Sequence, residues 1–229
     1  MVETISILIG FVVGSLPVGL WYGKATKGID IREYGSGNIG TANVQRTLGG
    51  KAALVVLLLD ATKGAVGPLV AALGHGAPWS PALAGVAAVA GHCWSPFLGF
   101  SGGRGIATGL GVVLVLDWRV GLTCLAVWFV TVATTRYVSL GSILAAVCWP
   151  FVWALYEFGF GCQPVAGHKW AGLAAGLVIA AVAVIRHLPN IRRLIRRTEP
   201  KLGQKARPHA DHVAGEEPGQ AQDSTNESR

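Results

Sequence analysis

Seven stretches of mostly apolar side chains constrain this 229-residue chain more than any other feature. They run from about Thr4 to Tyr22, Ala52 to Leu73, Pro81 to Phe100, Gly105 to Leu116, Val120 to Thr135, Leu140 to Phe160 and Trp170 to Leu188. A helix of about 20 such residues crosses the hydrocarbon core of a bilayer, where only helices and closed barrels satisfy every backbone group. The composition agrees: 14% of residues are charged, where a soluble domain carries about a quarter. The 32 glycines and eight tryptophans suit helices that approach through small residues and rings that sit at the water boundary. An ordinary water-soluble globule is excluded. The expected fold is an all-α integral membrane protein of seven transmembrane helices with glycine-rich cytoplasmic loops.

The fourth and fifth stretches are short, and one long helix through Asp117, Trp118 and Arg119 would reduce the count to six. The basic residues decide. With seven spans, Lys24, Lys27, Arg32, Arg46, Lys51, Arg104, Arg136 and the nine basic residues from Arg186 onward share one side, 16 of 19 in all. With six, Arg46 and Arg104 would oppose Arg136 and the C-terminal cluster. The positive-inside rule makes the crowded side cytoplasmic, with the N-terminus outside and the C-terminus inside.

The first stretch lacks a basic region before it and a small-residue cleavage site after it, so it reads as a retained span rather than a signal peptide. Residues 1–200 form the expected membrane domain. From Lys201 to Arg229 the chain turns to Gln, Glu, Asp, Ser and Asn, too polar to offset chain entropy by burial, and is expected to be a disordered cytoplasmic tail. Arg192, Arg193, Arg196 and Arg197 before it either meet anionic headgroups or simply flank the last span. The net charge of +7 is therefore topology, and no nucleic-acid partner is expected. Cys93, Cys124, Cys148 and Cys162 form no CxxC or Cys/His ligand spacing and read as packing residues.

Chemistry is sought in the connections on the basic side. The first runs Tyr34-Gly-Ser-Gly-Asn-Ile-Gly-Thr-Ala-Asn-Val-Gln-Arg46. Its glycines, Gly40 among them, let N–H groups converge on an anion, Ser36, Asn38 and Asn43 add hydrogen bonds, and Arg46 supplies a fork suited to phosphate. The second, Gly99 to Thr108, sets Arg104 among Gly102, Gly103 and Gly105 just before a helix, a ready phosphate site that lacks Walker A spacing. Each loop taken alone is also what a tight turn needs. The third holds Arg136, Ser139 and Ser142, and the fourth His187 and Asn190. One topology brings all four to one face as a phosphate pocket. Carboxylates there are limited to Asp30 and Glu33, which supports neither a metal site nor a paired-acid mechanism. Asp60 and Lys63, three apart in the second span, read as an internal ion pair, and His92 as a cross-helix hydrogen-bonding residue.

These loops together resemble the acyl-phosphate:glycerol-3-phosphate acyltransferase family of bacterial membranes, the PlsY type. The resemblance covers most of residues 5–202 and rests on GSLPVG (14–19), GSGNIGTANVQRTLG (35–49), the Asp60-to-Gly64 segment, GHCWSPFLGFSGGRGIAT (91–108), RYVSLGSI (136–143) and HLPNIRRLI (187–195) followed by Glu199. It implies seven helices with a cytoplasm-facing site in the bacterial inner (cell) membrane. It also implies acyl transfer from acyl phosphate to the 1-hydroxyl of sn-glycerol 3-phosphate, giving lysophosphatidic acid and phosphate without metal or cofactor. By resemblance, Ser36 and Arg46 match a substrate-binding pair, Gly102, Gly103 and Gly105 the phosphate loop, and His187 with Asn190 the C-terminal pair. Ser36 is then expected to bind rather than attack. The hydroxyl proton leaves through the substrate phosphate or to His187 as general base. Asn38, Gly40, Asn43, Arg104, Thr108, Arg136, Ser139 and Ser142 complete the expected substrate and phosphate contacts.

This chain departs from the family pattern at Arg104 and Ser101, both frequently lysine, and in the order Thr41-Ala42. Arg104 keeps the charge but alters phosphate geometry. The expected partners are the two substrates and membrane lipids, and a monomer is compatible with the sequence. The alternative, a small transporter for a phosphorylated solute, would favour an internal repeat and a midplane site; no repeat is visible. A structural or adaptor protein would leave the basic glycine-rich loops without a purpose.

Overall fold

The computed structural model describes residues 1–206, and helices are its dominant element throughout. In order they are α1 (Val2–Gly14), α2 (Val18–Lys27), α3 (Thr41–Leu48), α4 (Gly50–Leu73), α5 (Ser80–Cys93), α6 (Ile106–Leu116), α7 (Trp118–Thr135), α8 (Val138–Ala154), α9 (Lys169–Arg186) and α10 (Leu188–Ile195). By length and composition five segments can cross a membrane: Val2–Lys27, Gly50–Leu73, Trp118–Thr135, Val138–Gly159 and Lys169–Arg186. Shorter apolar helices, Ser80–Cys93 and Ile106–Leu116, stand between them.

The first apolar stretch is not one continuous helix. Pro17 has no N–H to donate, so α1 ends and α2 starts afresh after it. The carbonyls at the break find distant donors: Ser95 Oγ donates to Ser15 O at 2.6 Å and Lys63 Nζ to Leu16 O at 2.7 Å. Lys63 Nζ also lies 2.8 Å from Asp60 Oδ1, the ion pair expected from their spacing. Both side chains are almost wholly buried, so the pair is retained only because each charge has partners.

Small residues set the helix contacts. A Cβ added to Gly10 or Gly14 would run into the backbone of Ala84 or Ala88 in α5, and one added to Gly111 would meet the carbonyl of Ala61 in α4. Such close approach replaces the hydrophobic driving force that helices in lipid lack. Around it Val112, Val113, Trp149, Trp153 and Ile179 form the largest buried cluster.

Between α6 and α7 the chain reverses. Asp117 is extended, and its carboxylate accepts from Arg119 N to cap α7. A Cβ on Gly121 would touch Leu114, contacts that residues seven apart on one straight helix cannot make. The two short stretches are therefore a helical hairpin rather than one long helix.

The described part of the expected tail, residues 201–206, is hydrogen-bonded to the helices. Leu202 N donates to Arg136 O at 2.7 Å and Ala206 N to Arg46 O at 3.0 Å. The remainder of that tail, 207–229, lies outside the described residues.

Candidate active site

The first loop is folded by one buried amide. Asn43 Nδ2 donates to Ile31 O at 2.9 Å and Tyr34 O at 3.1 Å, while Oδ1 accepts from Ser36 N at 3.0 Å. Asn43, expected as a substrate contact, thus holds the loop shape and leaves the exposed Ser36 hydroxyl pointing from a fixed backbone. Asn38 Oδ1 accepts from Gly40 N at 2.8 Å, a local turn that delivers the chain into α3. Arg46, in the last turn of α3, is half-buried, and its guanidinium has no hydrogen bond or ion pair among the described residues. Burial lowers its pKa, Glu199 opposes that shift, and Arg193 adds to it.

The second loop lies against the end of α5. Gly103 N donates to His92 O at 3.0 Å, and a Cβ at Gly102 or Gly103 would strike His92 or Cys93. Glycine is needed there for close approach, and the Gly103 N–H is already engaged. Gly105, at φ +79°, turns the chain into α6, whose first N–H groups have no helical partner. Arg104 also lacks a hydrogen bond or ion pair among the described residues. Burial brings its pKa down to about 10; Glu199 acts against this, and Arg193, Arg46 and Arg186 reinforce it.

The fourth loop opens where α9 ends. Pro189 occupies the first turn of α10, where a missing N–H costs nothing. His187, one residue beyond α9, has Nδ1 at 2.7 Å from Ala183 O. Only Nδ1–H bonds to a carbonyl, so Nε2 is left as a lone-pair acceptor. Burial, then the charge of Arg104, push the His187 pKa down to about 4, so the ring is neutral at pH 7. Asn190 is fully buried; Nδ2 donates to Glu199 Oε1 at 2.7 Å, leaving Oδ1 without a partner among the described residues. Arg193 Nε holds the other carboxylate oxygen at 2.7 Å. Burial works to raise the Glu199 pKa, but the Asn190 amide, the nearby Ser139 hydroxyl and Arg193 bring it below the usual value. One carboxylate thus faces several arginines, and the excess positive charge favours an anion.

Arg104 and His187 border a cavity of about 440 Å³, within the range of roughly 300–1,000 Å³ usual for ligand sites. Its greater part is apolar, with Leu57, Leu110, Val113, Trp128 and Phe129 on its walls. Of the expected residues Asn38, Gly40, Arg104, Gly105, Ser142 and His187 line it. Ser36, Arg46, Asn43, Gly102, Gly103 and Asn190 adjoin the same loops without lining it. Thr108 is wholly buried where Gly64 packs on its backbone, and Arg136 is exposed, with Nη2 donating to Leu202 O at 3.1 Å. Ser139 is buried beside Glu199, again off the cavity wall.

Sequence reasoning gave no part in the site to Thr41, Gln45 or Leu202, all of which line the cavity, nor to Arg186 and Arg193, which do not. Adjacency to His187 was the one signal available for Arg186. Asp60 and His92 also reach the cavity wall, with His92 Nδ1 3.8 Å from Asp60 Oδ1.

An apolar cavity between membrane-type helices, lined also by a neutral histidine and by Arg104, a cation without an ion-pair partner among the described residues, suits a membrane protein that handles an amphiphile with an anionic head. Comparison sharpens the class. The model of the glycerol-3-phosphate acyltransferase family matches residues 4–197. The glycerol-3-phosphate acyltransferase of Parasynechococcus marenigrum is 42% identical over 198 residues, 86% of this chain and 89% of that one. That of Geobacter sulfurreducens is 45% identical over 198 residues, 86% and 96% of the respective chains. The crystal structure of PlsY (YgiH), an integral membrane glycerol 3-phosphate acyltransferase, in its glycerol 3-phosphate form superposes with TM-score 0.78. It is 36% identical and covers 88% of this chain and 96% of its own. Its lysophosphatidic acid form gives a TM-score of 0.75 at 33% identity, with the same coverage. The chain belongs to the glycerol-3-phosphate acyltransferase family and is a multi-pass integral membrane enzyme.

Proposed function

We propose that the chain transfers a fatty acyl group from acyl phosphate to the 1-hydroxyl of sn-glycerol 3-phosphate, releasing lysophosphatidic acid and inorganic phosphate. The observation that carries this reading is the cavity itself, whose mostly apolar lining suits an acyl chain and which Arg104 and His187 also line. The relatives solved with glycerol 3-phosphate and with lysophosphatidic acid support the acceptor and the product.

The hydroxyl oxygen attacks the acyl carbonyl carbon, the bond from that carbon to the phosphate oxygen breaks, and phosphate leaves with the electron pair. Arg46 and Ser36 hold the glycerol phosphate, while Arg104 and the first N–H groups of α6 hold the acyl phosphate. Asn190 Oδ1, its amide fixed by Glu199, accepts from the attacking hydroxyl. The proton passes to the departing phosphate, directly or by way of His187 Nε2. Holding both substrates in this alignment contributes about 7–11 kcal/mol to the rate.

In this reading seven spans place the N-terminus outside and the C-terminus inside a bacterial inner membrane, with the site facing the cytoplasm. The distribution of basic residues and the hairpin at Asp117 support it. Residues 1–200 constitute the membrane domain, 201–229 are appended to it, and one copy is sufficient for the site.

The test is phosphate release from purified protein in detergent or lipidic mesophase, given palmitoyl phosphate and sn-glycerol 3-phosphate. Release is expected only with both substrates, and Arg46→Ala is expected to lower it by about 100-fold. A folded preparation inert to this pair and to palmitoyl-CoA overturns the reading, and uptake of a phosphorylated solute into proteoliposomes replaces it with transport.

A further inference from the structure

We propose that Arg186 is a positioning residue for the phosphate loop, fixing the peptide planes at 102–104 so that the next N–H groups face the phosphate. The inference rests on the acyltransferase reading and adds a residue to its machinery.

Arg186 does not line the cavity; it acts through backbone. Its Nε donates to Gly103 O at 3.0 Å and its Nη2 to Gly102 O at 2.5 Å, across more than eighty residues of sequence. On the opposite side Gly103 N donates to His92 O at 3.0 Å. The peptide joining Gly102 and Gly103 is thus gripped at both ends, by Arg186 and by α5. In the next peptide the carbonyl is tied to Arg186, and planarity turns the Arg104 N–H the other way, where it has no partner among the described residues. Gly105 then carries the chain into α6, and Arg104, Gly105, Ile106 and Ala107 all reach the cavity wall.

Two features separate this arrangement from a helix-end bond of convenience. A planar guanidinium matches two adjacent carbonyls, which a lysine ammonium cannot do in the same geometry. Arg186 also has no carboxylate within ion-pair distance among the described residues, so its charge stays uncompensated beside the loop. A cation on a peptide carbonyl polarises that peptide and strengthens its N–H as a donor. The glycine pair is thus a strap drawn between α5 and α9, with its free donors set by the tension points at His92 and Arg186.

The experiment compares Arg186→Lys, which keeps the charge and loses the fork, with Arg186→Gln, which loses both. Wild-type turnover is measured first; its failure overturns the acyltransferase reading and this proposal with it. With turnover established, Arg186→Gln is expected to raise the KM of one phosphate substrate about 10-fold while the other changes less than about 2-fold. Inhibition by inorganic phosphate should weaken with it, and Arg186→Lys should recover part of the effect. Unchanged KM values in both variants overturn the proposal, as does an equal loss toward both substrates that follows a lowered melting temperature. If Arg186→Gln does not fold, the KM ratio and phosphate inhibition of Arg186→Lys decide in the same way.

Discussion

A histidine whose Nδ1 is committed to a carbonyl has a single neutral tautomer available, and His187 is held in it by Ala183 O. Its pKa of about 4 lies below the ordinary imidazole value of 6.5 because burial and Arg104 both penalise the cation. The sign for stability follows: the unfolded chain takes up this proton first, so acidification below about pH 6.5 favours unfolding increasingly until about pH 4. His187→Gln is expected to flatten that acid limb in thermal unfolding followed from neutral pH downward. If His187 also carries the hydroxyl proton, the same variant loses about 100-fold or more in kcat with little change in KM for glycerol 3-phosphate. A loss below about threefold assigns the proton to the substrate phosphate alone. At this scale the sequence exposed His187, Asn190, Arg46 and Arg104 through their motifs. It hid Thr41 and Arg186, because what makes them matter is a cavity wall and two carbonyls contributed by distant segments.

At the scale of elements, most helices were legible because apolar runs of bilayer length leave little else to form. Their interruptions were less so. The first run is broken at Pro17, a break made tolerable only by Lys63 and Ser95, which arrive from other helices. The third run ends as a helix at Cys93, since the glycine pair must lie against its last turn and the chain beyond it turns away. Glycine positions could be counted in the sequence, but not which of them a neighbouring backbone touches. Gly111 is one that is touched: its Cα faces the carbonyl of Ala61 with no room for a side chain. Gly111→Val is therefore expected to separate α4 from α6 and destabilise the fold by about 1–3 kcal/mol, read as a lower melting temperature in detergent. A variant that melts with the wild type would show that these helices yield at no cost.

For the whole molecule, the proposed topology makes a labelling prediction. In a chain whose other cysteines are replaced, Cys162, between α8 and α9, is expected to react with a membrane-impermeant maleimide in intact cells. A cysteine introduced as Lys205→Cys should react only after permeabilisation. The opposite pattern inverts the protein and the side from which substrates enter. The sequence by itself determined the solvent, the helical class and the basic, glycine-rich make-up of the loops, because apolar run length, basic-residue bias and glycine-flanked arginines are local and need no neighbours to be read. Only the tertiary structure decided which of those residues share one cavity, that Asn43 and Arg186 shape the loops they border, and that residues 201–206 bond back to Arg136 and Arg46. Each of these depends on contacts between segments far apart in the chain, and such contacts exist only once the helices have packed.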